Sequence, residues 1–103
     1  MQWIANISVT TWILWLEMAL SFNMTDPHWR VEQAFQTQPL CESARDQRFL
    51  DVLAGPAAKG GKILWSRGPE HPVRVQMPGG DIVQYRFICL PDIVDPRRPK
   101  PRP

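Results

Sequence analysis

Residues 73–90, VRVQMPGGDIVQYRFICL, decide the fold. Val73, Val75 and Met77 alternate with Arg74 and Gln76, the period of two that a half-buried strand requires. Val83, Tyr85, Phe87 and Cys89 then share one face of a second strand, with Gln84 and Arg86 on the other. Pro78-Gly79-Gly80-Asp81 between them is a compact turn whose glycines can take positive φ. The segment is therefore an antiparallel hairpin with one apolar face.

Upstream, Lys62 to Arg67 (KILWSR) is rich in β-formers and is set off by the turn cluster Gly68-Pro69-Glu70-His71-Pro72, so a three-stranded meander is expected. Ser43 to Leu53 reads as a short helix. Glu42 or Ser43 would cap it, Asp46 would suit the dipole in its first turn, and Phe49, Leu50 and Leu53 would form its apolar face. Gly55-Pro56 is a stop signal, and residues 55–61 read as a flexible connector. Trp29, Val31, Gln33 and Phe35 alternate with Arg30, Glu32, Ala34 and Gln36, giving an N-terminal strand over residues 29–37 that Pro39 ends. The expected fold class is α+β: a small antiparallel sheet (meander plus N-terminal strand) with one short helix, after an N-terminal hydrophobic helix.

That N-terminal helix is expected from residues 3–22, whose apolar stretch runs from Ile7 to Leu16 and is densest at Trp12-Ile13-Leu14-Trp15-Leu16. Ala19 and Ser21 stand at the −3 and −1 positions of a cut before Phe22, the pattern of a signal peptide over residues 1–21. The n-region has no Lys or Arg, the first being Arg30. A retained membrane anchor and an apolar helix packed on the domain compete with this reading, and only the anchor would give the protein a membrane partner. Glu17 weighs against the anchor, since a carboxylate within a span costs about 2.5–3.5 kcal/mol on insertion scales. Asn23-Met24-Thr25 matches the N-glycosylation pattern just past the cut. Asn6-Ile7-Ser8 matches it too, but lies inside the expected leader.

Residues 22–90 would form the folded domain, a size at which a core alone is thin and a staple is common. Cys41 and Cys89 are the only cysteines, and in a short exported chain an even count reads as a disulfide. Such a bond would pin the start of the helix to the inner face of the last strand. Residues 22–96 hold eight Lys or Arg against nine Asp or Glu, whereas the last seven residues add Arg97, Arg98, Lys100 and Arg102 with no acid. The body is nearly neutral and residues 91–103 form a cationic, proline-rich tail, expected to be extended, polyproline-like or disordered. Four roles suit it: attraction to an anionic surface, a polyproline ligand through Pro96-Arg97-Arg98-Pro99, a dibasic cut at Arg97-Arg98, and a solubilising terminus.

Catalytic chemistry finds no constellation. His28, in Asp26-Pro27-His28-Trp29 near the expected mature terminus, and His71, in a proline-bracketed turn, lack ligand spacing, and the disulfide accounts for both cysteine sulfurs. Gly55-x4-Gly60-Gly61-Lys62 misses the phosphate-binding loop, with an extra glycine and with Ile63 where a hydroxyl residue belongs. A near-neutral body argues against nucleic-acid binding. The expectation is a secreted, non-enzymatic binding or signalling protein without a cofactor, its partner an extracellular protein or an anionic surface. A defence-peptide precursor acting through the tail is the alternative, and a small membrane-anchored protein the third class.

Overall fold

The computed structural model of the chain describes residues 10–20 and 26–97. Its elements, in order, are β1 (Trp12–Leu20), β2 (His28–Phe35), α1 (Gln38–Ala58), β3 (Lys62–Trp65), β4 (Val73–Gln76) and β5 (Ile82–Pro91). The strands form one antiparallel sheet in the order β2-β1-β5-β4-β3, and α1 packs on one of its faces. The α+β class and the meander β3-β4-β5 are as the sequence implies. The hairpin closes through Met77 N–H donating to the Asp81 carbonyl at 2.7 Å and Gly80 N–H to the Met77 carbonyl at 2.8 Å. Gly80 takes φ +96° there, a conformation that glycine adopts without penalty.

The expected N-terminal hydrophobic helix is corrected: Trp12–Leu20 is a strand, an inner one between β2 and β5. It pairs with β5 over its whole length, Trp12 opposite Pro91 through Leu20 opposite Val83, and with β2 on its other side. A strand covered on both faces reads as an unbroken apolar run, and so does a leader. Leu14 and Leu16 enter the core under α1, while Trp15 and Ala19 are buried on the opposite face. Glu17 is accommodated by its cross-strand partner Arg86, Nε to Oε1 3.1 Å. The leader reading and β1 thus draw on the same residues, and a cut before Phe22 would take out the strand joining β2 to β5. The cut site itself lies outside the described residues.

The helix is also longer than expected at both ends. Thr37, not Glu42 or Ser43, caps it: its Oγ1 accepts the Leu40 N–H at 3.3 Å and its carbonyl the Cys41 N–H at 3.2 Å. Pro39 falls in the first turn, where a missing N–H costs little. At the other end the helix runs through Gly55-Pro56 to Ala58, with Lys59 N–H still donating to the Gly55 carbonyl, and stops at Gly60, whose φ is +81°. The expected connector is therefore mostly the last helical turn. The buried face is Cys41, Phe49, Val52 and Leu53, whereas Leu50, expected in it, points outward.

Cys41 and Cys89 form a disulfide, with Cα atoms 6.1 Å apart. Cys41 is fully buried among Leu14, Phe49, Val73, Val75 and Phe87, so the bond ties the first turns of α1 into the centre of the sheet.

Both edge strands carry a bulge. Between Leu14 and Trp15 the β2 partner jumps from Gln33 to Val31, so Glu32 is the extra residue. Between Ile63 and Trp65 the β4 partner moves only from Val75 to Arg74, so Leu64 is extra. Such irregularities kink an edge and hinder pairing with a foreign strand. The first bulge also splits the expected face of β2: Trp29 and Val31 lie opposite Glu17 and Trp15, while Phe35 packs toward the helix side against the core.

Candidate functional site: the open face of the sheet

The face opposite α1 carries Trp15, Glu17 and Ala19 of β1, Trp29 and Val31 of β2, Gln84 and Arg86 of β5, Arg74 of β4 and Trp65 of β3, as the register fixes. Three tryptophans stand on it, and each has a guanidinium against its ring. Arg97 Cζ is 5.0 Å from the Trp15 centroid, Arg86 Cζ 5.7 Å from Trp29, and Arg67 Cζ 5.4 Å from Trp65. Trp15 and Trp29 meet edge to face, centroids 6.4 Å apart at 83°. The buried Trp15 indole N–H meets no acceptor among the described residues.

Arg86 is held by Glu17, with Nη2 donating to Oε2 at 3.4 Å; at 3.1 Å from Oε1 its Nε is close enough for an ion pair but not aligned for a hydrogen bond. Arg97 arrives from the tail. Asp92 N–H donates to the Thr11 carbonyl at 2.8 Å and Val94 N–H to the Pro91 carbonyl at 2.9 Å, turning the chain back so that Arg97 covers Trp15. Asp95 accepts from Arg97 Nε and Nη2 at 3.0 and 2.9 Å, which raises the guanidinium's already high pKa through the hydrogen bond first and the opposite charge second. Residues 91–97 are thus folded against the sheet rather than extended. Of the expected cationic group, Arg97 is in this cluster; Arg98, Lys100 and Arg102 lie outside the described residues, as does Asn23.

At the β3 end the face opens into a groove of about 610 Å³ lined by Leu64, Trp65, Pro72, Arg74, Ile82 and Gln84. The bulge builds it: adjacent residues on a regular strand face opposite ways, but the extra residue lets Leu64 and Trp65 line one groove together. Both remain substantially exposed, at 43% and 39%. Arg74 is oriented by Gln84, Nε to Oε1 2.9 Å. A second cleft of about 380 Å³ lies between the C-terminal half of α1 and the sheet, with both charge signs on its rim: Glu32 pairs with Arg30 at 2.8 Å and Arg48 at 3.9 Å.

His28 and His71 are exposed, and among the described residues no group of three or more His, Cys, Asp or Glu is placed to hold a metal. The sequence reading named neither the tryptophan cluster nor the groove. Tyr85 and Phe87, the aromatic side chains of β5, face the helix side instead. Only Trp65 and Arg67 are close in sequence; the pairs Trp29–Arg86 and Trp15–Arg97 come together only through the sheet order and the turn after β5.

The geometry defines an α+β domain with a disulfide-anchored helix on one face of its sheet and an aromatic, cation-studded face on the other. No family model, curated protein or solved structure matches the chain. The Cys41–Cys89 bond fits an extracellular protein, and no described helix is long and apolar enough to cross a membrane.

Proposed function

We propose that this is a secreted, non-enzymatic binding protein whose recognition surface is the open sheet face. The observation that carries the reading is that Trp29 and Trp65, each against an arginine, stand partly exposed on the face the helix leaves uncovered, with the buried Trp15 packed edge to face against Trp29. Tryptophan and arginine are the side chains most enriched where binding energy concentrates, and charge-stacked rings lose little entropy on engagement. Both sulfurs are consumed in the disulfide, leaving no thiol nucleophile. In this reading β1 stays in the mature protein, because its removal would unbridge β2 from β5.

Capture from extracellular material tests it. A partner held by the wild type should be lost by Trp65→Ala and retained by Leu50→Ala on the exposed side of α1. Retention by Trp65→Ala with loss by Leu50→Ala would move recognition to the helix. Intact mass of the extracellular product should include residues 12–20 and lack free thiols, with a glycosidase-sensitive increment at Asn23. Reduced cysteines in a cytosolic product would refute export.

A second reading, action on anionic surfaces through the tail, is favoured by the four cations within residues 97–102. Microbial growth inhibition that disappears on deletion of residues 98–103 would support it; unchanged inhibition would assign the effect to the body.

A further inference from the structure

We propose that the groove beside β3 binds an acidic peptide segment of a partner protein, laid across the sheet face with an apolar side chain between Leu64 and Trp65. The inference deepens the binding role proposed above and rests on it. The lining is apolar except for Arg74 and Gln84, and no carboxylate contributes to it. Three cations stand at or beside it: Arg74 within it, Arg67 over the outer tryptophan, and Lys62 on the same strand at the register position opposite Gln76; of the acids nearest in sequence, Glu70 is paired with Arg45, and Asp81 adjoins Ile82 in the hairpin turn. Gln84 occupies only Nε of Arg74, so among the described residues its terminal nitrogens remain as donors suited to a carboxylate. An apolar anchor with acidic neighbours complements this surface in both shape and sign.

The occupant lies across the face rather than adding to the sheet. The bulge at Leu64 breaks the regular edge that strand addition needs, and the same bulge turns Leu64 into a groove wall. One irregularity thus closes the edge and opens the face.

The test titrates the intact, oxidised protein with eight-residue synthetic peptides in which Leu or Phe alternates with Glu, and with matched peptides carrying Lys for Glu. Backbone and indole NMR shifts locate the contact. Glu peptides should perturb Trp65, Arg74 and Ile82, and Lys peptides should not. Trp65→Ala and Leu64→Ala should each weaken binding about ten-fold or more, as truncation of an anchor pocket does. Arg74→Glu should weaken Glu peptides likewise and strengthen Lys peptides, a reciprocal change that loss of folding cannot produce. Equal binding of both peptide sets, shifts confined to the α1 cleft, saturation by small aliphatic acids alone, or self-association through the groove would each overturn the proposal. Should a natural partner still be lost by Trp65→Ala while every Glu peptide fails, the open face stands as the binding surface and the acidic-peptide assignment falls. If Trp65→Ala retains the partner, both fall.

Discussion

Leu14 is fully buried beneath α1, in the cluster that also holds Cys41, Phe49 and Val75. Leu14→Ala removes three carbons from a packed site and should destabilise by about 2–5 kcal/mol, a large share of the about 5–15 kcal/mol that holds a small domain together. Leu50, 54% exposed, touches no such cluster, and Leu50→Ala should change stability by less than about 0.5 kcal/mol. Guanidinium midpoints at constant slope measure both. The pair also discriminates the two assignments of the helix face: the sequence pattern grouped Leu50 with Phe49 and Leu53, and a loss at Leu50 equal to that at Leu14 would restore it. The pattern misled because the helix was read from Ser43, too short a stretch to show that Cys41, Phe49 and Val52 lie on one side.

At the scale of elements, the hairpin β4-β5 was legible because it has one wet face, so alternation survives in the sequence; alternation also located β2, but not its faces, which the bulge at Glu32 exchanges partway along. β1 was not legible, because both its faces are covered: Leu14 and Leu16 on one side, Trp15 and Ala19 on the other. Nothing in a continuous apolar run distinguishes an inner strand covered on both faces from an export leader. The disulfide needed only a count of cysteines and could be read from that. The tryptophan cluster could not, since Trp15, Trp29 and Arg97 are brought together by sheet order, a bulge and a turn after β5. The helix start is directly testable. Thr37→Ala removes the acceptor of the Leu40 N–H and should cost about 0.5–2 kcal/mol, whereas Ser43→Ala, now inside the helix, should be near neutral or slightly stabilising. Thermal denaturation of the two variants decides between the two cap positions.

For the molecule as a whole, two features hold together what the small core cannot hold alone. The disulfide spans 48 residues of sequence, and in the chain-entropy account its closure contributes about 4 kcal/mol, which reduction under native conditions should remove. β1 contributes on a similar scale: burial of Leu14, Trp15 and Leu16 is worth about 1.5–3 kcal/mol each, a sum comparable with the total stability. A chain beginning at Phe22 would lose these side chains and would also present β2 and β5 as two unpaired inner edges, a hazard for aggregation. The expected result is loss of cooperative unfolding and of near-ultraviolet ellipticity even with the disulfide oxidised. A synthetic peptide of residues 10–21 added in trans should restore both, because the ladder it forms runs along all of β1. If the shortened chain instead unfolds cooperatively at the full-length midpoint, with Phe87 and Val73 protected from exchange, the domain closes without β1 and the place of that strand between β2 and β5 is wrong.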